Sequence, residues 1–586
     1  MKKHGIEGIF EELKPGQKLE HGEIGFSARA PMDPEALGIH GRGPEKVRDF
    51  VTYRLLPGKD NMRLFQVLSG LEREPLNGVL KIMGFPARFL RAGAILNFEF
   101  AVRNPIRDAF SAHIQAKYGF NPADFVRGIY SFINKDEFFD IAERKGGTMS
   151  HQHAMDRLGA MKSWAEMMAE PKGVFGTAGN ILLHPIQHLR LLSELSEYGT
   201  RIGVLRRALR KGAPMQEAIN EMRRNPVDYQ QGGEYFNNAN AIIAFFKANV
   251  LGMQRLQQSF KERPVQTMGR VATAVTIPSI LMTLHNRQDE RWKDIPTWQK
   301  NAFWIIMTPD HVFRIPKPFD WGMLFGSVPE RIVEGILDKD PSQAGAIWDA
   351  LASQRPGIMP TAFVPAWEVI SNYDMFRDSP IVPRSKQDLP EFMQTTSWSG
   401  PTVRALGKTL GVSPAKLEHL WRGYTAGLGQ YVTDSADWTL ERIAGSSTGE
   451  RPARSMADIP AARAFAVRYP SASSKQISDF YDMSTEVDRL WRSRKMLKFT
   501  SQQRRQVDAM HKAGTETRNQ LKDLRKHATE IEDDVRMSAT EKRRRLNIIY
   551  KRMSKVSSSG LQRLRALERF KIQSRKLAIR DSFRAF

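Results

Sequence analysis

The sequence contains no cysteine. That excludes disulfides, thiolate catalysis and cysteine-built zinc sites. It suits a chain that meets both reducing and oxidising compartments, and a lineage bias in composition explains it equally well. Long apolar runs are also missing. The best, 271–284 with Pro278 inside, is 14 residues, short of the roughly 20 needed to span a bilayer. It reads as a buried core helix, with later entry into a membrane as the second reading. Residues 1–13 carry Lys2 and Lys3 with no apolar run behind them, which is not a secretory signal. Acid is in deficit: 64 Asp and Glu against 88 Lys and Arg give a net charge of +24 and a pI near 10.0. Such an excess favours a polyanionic partner, either nucleic acid or the acidic face of a membrane.

Catalytic and cofactor motifs are absent as well. Gly407-Lys408-Thr409 has the end of a phosphate-binding loop, but the required upstream glycine is Thr402. The segment reads as a helix with an exposed lysine. His184 and His188 are four apart, but Pro185 stands between them where a zinc protease has glutamate, and no third ligand accompanies them. His151 and His153 sit in a polar stretch. The expectation is therefore no metal, no cofactor and no enzyme activity.

What is present is helical punctuation. The 586 residues, 41% of them hydrophobic, are enough for two to four domains. The expected class is mainly α: multi-helical and elongated, with irregular proline-rich segments and a basic helical C-terminal region. Residues 1–60 read as an irregular arm, broken by Pro15, Gly22, Pro31, Gly41 and Pro44 among others. Residue 1 is either a native start or a processing point within a longer protein. Residues 61–260 read as a helical domain, with Asn104-Pro105, Asn121-Pro122 and Asn225-Pro226 as helix starts. Residues 261–444 form an aromatic and proline-rich helical domain. Asp294-Ile295-Pro296 opens a short helix carrying Trp298, Phe303 and Trp304 as core anchors, with Trp321 as a fourth, and Ile315–Gly322 runs extended. Residues 445–460 read as a linker.

Residues 461–586 form the basic helical region. Positions 501–586 hold 23 Lys or Arg against 10 Asp or Glu, so just over half of the net charge lies there. Thr500 and Ser538 open capping boxes. Leu521, Leu524, Ala528, Ile531 and Val535 make a heptad-like seam, repeated by Leu546, Ile549, Met553 and Val556. Narrow seams leave wide basic faces. The candidate DNA-binding residues are Arg504, Arg505, Lys542, Arg543, Arg544, Arg545, Lys551, Arg552, Arg563, Arg565, Arg575 and Lys576. Phosphates are met by such side chains without sequence readout, and no zinc finger or helix-turn-helix accompanies them.

The order of several short segments carries a resemblance. Arg224-Asn225-Pro226-Val227-Asp228-Tyr229, Phe245–Val250, Ile295–Trp304, Trp367–Phe376 and Arg422–Gly429 follow one another. Over roughly 60–440 the chain resembles the large polyvalent-protein-associated domain of tailed phages, the thirty-eighth of its series. The resemblance implies a phage particle more than a reaction: a structural internal virion protein of the DNA-ejection or core type, inside the capsid and in the host envelope after ejection. The partners it implies are copies of itself, other core, portal or tail proteins, double-stranded DNA bound non-specifically, and host membrane on ejection. Ejection proteins sometimes carry a lytic transglycosylase, but its Glu-Ser dipeptide is absent, and Glu99 and Glu234 form no evident carboxylate pair. Two readings compete: a non-catalytic C-terminal piece of a polyvalent phage enzyme, and a cytoplasmic nucleic-acid-binding accessory protein.

Overall fold

The computed structural model describes residues 10–12, 25–29, 50–55, 78–95, 97–144, 185–225, 227, 234–338, 343–352, 357, 359–377, 379–383, 386–396, 399–444, 452–472, 474–494 and 499–565. They fall into two units, one of residues 1–81 with 232–238 and one of 82–231 with 239–586. The fold is mainly helical, as composition and punctuation suggest.

The first unit corrects the expectation of an irregular arm. Strands β1 (Phe10–Glu12), β2 (Gly25–Arg29) and β3 (Phe50–Leu55) form an antiparallel sheet with β3 in the centre. Phe10 pairs with Leu55, and Phe26 with Tyr53. The alternation in Phe-Val-Thr-Tyr-Arg-Leu is the sequence signal for the central strand. The glycines and prolines that obscure it lie between the strands.

Helix α1 (Gly78–Ile95) begins in the first unit and continues into the second, where α2 (Phe98–Gln115) follows. The Asn97 side chain caps α2, accepting from the Phe100 N–H at 2.7 Å. Asn104-Pro105 lies inside α2 and starts nothing; the Asn104 amide instead donates to Asp108 at 2.6 Å. Helix α3 (Pro122–Asn134) begins as its sequence promises, with Asn121 and Asp124 exchanging backbone and side-chain bonds of 3.0 and 3.1 Å. Helix α4 (Glu137–Arg144) follows, then α5 (Pro185–Arg210). Helices α3 and α5 touch backbone to backbone: a Cβ on Gly128 would come within 2.0 Å of the Gly199 carbonyl oxygen. Arg207 and Arg210 of α5 reach Asp124 at 2.7 and 2.8 Å, so the same carboxylate caps one helix and clamps another. Helix α6 (Met215–Arg224) ends at Asn225, which therefore closes a helix where a start was expected. His151, His153 and His184 lie outside the described residues, as does the side chain of His188.

Buried Asp108 gives a prediction of its own. Burial, with Glu197 adding repulsion, raises its carboxyl from the ordinary 3.8 to about 7. Between those values the folded chain binds more protons than the unfolded one, so this group's contribution to stability falls as pH rises through the window. Asp108→Asn removes the titration. Its stability relative to the wild type is expected to rise by on the order of 2–4 kcal/mol between pH 4 and pH 8. Urea denaturation of both proteins across that range measures it, and parallel pH profiles refute it.

Helices α7 (Glu234–Ile242), α8 (Phe246–Glu262), α9 (Pro264–Val271) and α10 (Ile277–Asn286) come next; a π turn at Ala272–Thr276 makes α9 and α10 continuous. This continuous helix is the apolar run expected to be a buried core helix, yet only 28% of its most apolar window is buried. Helix α11 (Thr297–Ala302) is shorter than expected: Phe303 and Trp304 leave it to start β4 (Phe303–Met307), which pairs with β5 (Val312–Pro316). The Thr308 N–H donates to the His311 carbonyl at 2.9 Å and closes this hairpin. Of the stretch Ile315–Gly322 expected to run extended, Ile315-Pro316 does so in β5, but Phe319–Gly322 is helical, a correction: Pro318 ends the extended run and stands at the N-cap of a helical turn. The chain then turns into α12 (Phe319–Gly322), a π turn at Met323–Ser327, and α13 (Val328–Asp338).

Helices α14 (Gln343–Ala352), α15 (Val364–Ser371), α16 (Pro401–Leu410) and α17 (Pro414–Ala444, broken at Ala426) complete the aromatic region. Between α15 and α16 two short strands, β6 (Tyr373–Asp374) and β7 (Ser379–Pro380), pair with each other. Of the four expected anchors, Phe303, Trp304 and Trp321 are buried, Trp304 and Trp321 in one core cluster and Phe303 in another, against which half-buried Trp298 packs. Of the expected linker, residues 452–460 are described, and they are docked. The Ala453 N–H donates to the Ala539 carbonyl at 2.8 Å, and Ser455 caps a 3-10 turn before α18 (Pro460–Arg463). Strand β8 (Ala466–Val467) then adds a third strand to the β4–β5 hairpin, pairing with β5.

Candidate nucleic-acid interface

The basic region folds as three packed helices, α19 (Lys475–Ser493), α20 (Ser501–Asp533) and α21 (Ala539–Leu564). The Thr500 capping box forms in full, with bonds of 2.9 and 3.2 Å to and from Gln503. Ser538 caps α21 only one way, because the Glu541 side chain is drawn off to two arginines. The seams pack inside the chain: Leu521, Leu524 and Ala528 of α20 and Leu546 and Met553 of α21 are buried, with Phe480 and Val487 of α19. Val535, the last position of the first seam, falls in the α20–α21 turn and is exposed. Gly560 permits the closest approach, since a Cβ there would lie 2.6 Å from Thr517. On α19, Trp491 is stacked on His511 at 4.1 Å and covered by the Arg494 guanidinium at 3.9 Å.

Helical geometry sorts the candidate cations. Arg504 and Arg505 are exposed at the start of α20, and Lys551 and Arg552 midway along α21; among the described residues none of the four forms an ion pair. Arg563 and Arg565 are exposed near the end of α21, where Arg563 lies 3.6 Å from Glu516 of α20. The two helices are antiparallel, so Arg504, Arg505, Arg563 and Arg565 lie toward one end of the bundle. Arg575 and Lys576 lie outside the described residues.

The Lys542–Arg545 block, which looks the most basic in sequence, is the least available. Lys542 is fully buried, its ammonium donating to the Glu532 carbonyl at 2.8 Å across the turn. Arg543 donates to the Ala453 carbonyl at 2.7 Å and lies 3.3 Å from Asp458, so it pins the 452–460 segment. These two are corrections: both are structural. Arg544 and Arg545 are exposed, but both hold Glu541, and their hydrogen bonds pull that carboxyl down to about 2. Four consecutive residues sweep a full helical turn, so at least one must face the core. Exposed Lys512, Lys522 and Lys555 join the available set. Their spacing along the outer faces of the seams is the sequence signal for them.

Elsewhere the charges serve packing. Glu99 is held by Arg463 at 2.6 Å, and Lys317 meets Glu330 at 2.6 Å inside the aromatic region. His419 stands between two carboxylates, 2.8 Å from Glu368 and 3.8 Å from Asp374. Gly407-Lys408-Thr409 is helical in α16 with Lys408 exposed, as read from sequence. A shallow open depression lined by Arg224, Gln254, Gln257, Gln258 and Lys261 is polar and uncharged but for its two cations.

Residues 289–462 match the family described as large polyvalent protein associated domain 38. The matched stretch begins well after residue 60 and runs slightly past 440, taking in the β4–β5 hairpin and α11 to α17. The three basic helices lie beyond it. No curated protein and no solved structure matches the chain.

Proposed function

We propose that this chain is a structural, non-enzymatic internal virion protein of a tailed bacteriophage, of the DNA-ejection or core type. It acts as an oligomer and contacts packaged or ejected DNA without reading its sequence. The domain match supports a polyvalent, phage-associated protein. The observation that carries the DNA contact is a set of exposed cations on α20 and α21, Arg504, Arg505, Lys551 and Arg552, which have no ion-pair partner among the described residues and sit on a packed scaffold. Cations of this kind displace condensed counterions from a duplex, which supplies affinity without base specificity. Other core, portal or tail proteins and further copies of this chain are the protein partners in this reading. The second reading, a non-catalytic piece of a polyvalent phage enzyme, draws on the same domain match.

A titration of the full chain with two labelled duplexes of unrelated sequence, at several salt concentrations, tests the DNA contact. Affinity is expected to fall steeply with salt and equally for both. Replacing Arg504, Arg505, Lys551 and Arg552 by Gln is expected to weaken both complexes alike. The same change is expected to flatten the slope by about 0.9 for each phosphate that is no longer neutralised. An unchanged slope would assign the cations to an acidic protein or lipid surface instead. Protein sequencing of purified particles tests the virion setting.

A further inference from the structure

Two neighbouring helices of the second unit turn polar side chains inward and leave aliphatic side chains outward. Continuous helix α9–α10 buries Thr267, Ser279, Thr283 and Asn286 beside Val271 and Val275. Their polar groups are used inward: Thr267 donates to the Ser259 carbonyl at 2.9 Å, Ser279 accepts from the Trp304 indole at 2.6 Å, and Asn286 donates to the Ile305 carbonyl at 2.6 Å. Its outer face is Val265, Met268, Ile277, Leu281 and Leu284, between 37% and 86% exposed. The π turn keeps that face in line. It absorbs one extra residue, so the 12 positions from Val265 to Ile277 make close to three turns.

Helix α13, packed against α10, repeats the inversion more severely. It buries Glu330, Arg331 and Glu334 and exposes Ile332, Ile336 and Leu337. Helix α14 packs on α13 and exposes Trp348 and Leu351. In water such an arrangement is unfavourable twice, through exposed apolar area and through buried charge.

We propose that the outward faces of α9–α10, α13 and α14 form a membrane-docking surface that seats in one leaflet of an anionic bilayer. Lipid is favoured over a protein partner by the chemistry of the face. Its outward groups are mostly aliphatic, with His285 exposed at the end of α10 and Asp338 at the end of α13, where Arg287 holds it, while Ser279, Thr283, Glu330, Arg331 and Glu334 are taken inside, as polar side chains are in membrane-embedded helices. From Pro264 to Asn286 there is no acid and one cation, Arg270. Of the flanking cations Lys261 and Lys293 are exposed, while Arg263 and Arg270 are turned onto the 114–116 carbonyls and Arg287 and Arg291 hold Asp338 and Asp289; the complement to anionic headgroups is the chain's net charge of +24. Helices lying in the interface plane bury their apolar face about 5–10 Å deep, which the protruding side chains satisfy without unfolding the unit.

The test uses the full chain with phosphatidylcholine–phosphatidylglycerol vesicles and with phosphatidylcholine vesicles, in flotation at low and high salt. Wild type is expected to float with the anionic vesicles and to keep a salt-resistant fraction, unlike its DNA contact. Leu281→Glu combined with Ile336→Glu alters two exposed positions. It is expected to lower the partition coefficient more than about tenfold with an unchanged thermal melt. The Gln variant of Arg504, Arg505, Lys551 and Arg552 is expected to float like wild type, so failure here and failure of the DNA reading are separable. No flotation of wild type, or equal flotation of the Glu variant, overturns the proposal. So does a wild-type oligomer that the Glu variant dissociates without vesicles, which would make the face a contact between copies of this chain.

Discussion

Trp304→Ala is expected to destabilise the protein by about 3–5 kcal/mol, the usual cost of truncating a buried tryptophan. Trp304 sits on β4 opposite Ile315 and is 4% exposed. Its ring packs on Phe110 with centroids 5.2 Å apart, and its indole N–H donates to the buried Ser279 hydroxyl. Alanine removes the ring, opens a cavity between α2, α10 and the hairpin, and leaves Ser279 without that donor. Each consequence adds to the destabilisation. Trp304→Phe keeps most of the volume and is expected to cost less. The urea midpoint for each variant is the measurement. A midpoint for Trp304→Ala equal to the wild type's contradicts the anchoring role.

Breaking the buried ion pair in the same region is the second large effect. The Lys317 ammonium donates to Glu330 at 2.6 Å, to the Lys300 carbonyl at 2.8 Å and to the Ser327 hydroxyl at 3.0 Å, and both Lys317 and Glu330 are buried. Arg331 and Glu334 pair alongside at 2.6 Å. Glu330→Ala leaves the lysine buried without its counter-charge, and the expected cost is about 3–5 kcal/mol. The pair itself is a different matter, because desolvating both ions offsets much of their attraction. Lys317→Met combined with Glu330→Leu is therefore expected to recover most of that stability. A double variant as unstable as Glu330→Ala would show that the pair contributes more than it costs to bury. Chemical denaturation of the two variants and the wild type decides between these outcomes.

Both effects arise from one architectural feature. In this region charged groups lie buried beside tryptophans, and several aliphatic groups, Leu281, Ile332 and Ile336 among them, are left outside. Ordinary partitioning assigns aliphatics to the core and charges to solvent, so these helices mislead composition-based reasoning. The apolar run at 271–284 reads as buried on that basis. It is the tertiary pairing of Ser279 with Trp304, and of Asn286 with the β4 backbone, that turns its polar side inward.

Local chemistry alone determined several features. The Asn121–Asp124 and Thr500–Gln503 helix starts were legible because a capping side chain and its partner lie within three residues. The seams of α20 and α21 were legible because helical periodicity is a property of the chain. The surplus of cations after residue 500 was a matter of counting, and the order of short aromatic segments carried the family resemblance. Tertiary structure decided the rest. Asn104 and Asn225 have the same local signature as Asn121, but the partners that keep one inside a helix and place the other at an end come from elsewhere in the fold. The β4–β5 hairpin displaced a helix because Phe303 and Trp304 are buried as strand residues against α2 and α10. Among four consecutive cations, the turn between α20 and α21 chose Lys542 for burial and the docked 452–460 segment claimed Arg543. Charge can be counted from a sequence, but whether a charge is free depends on what the folded chain places beside it.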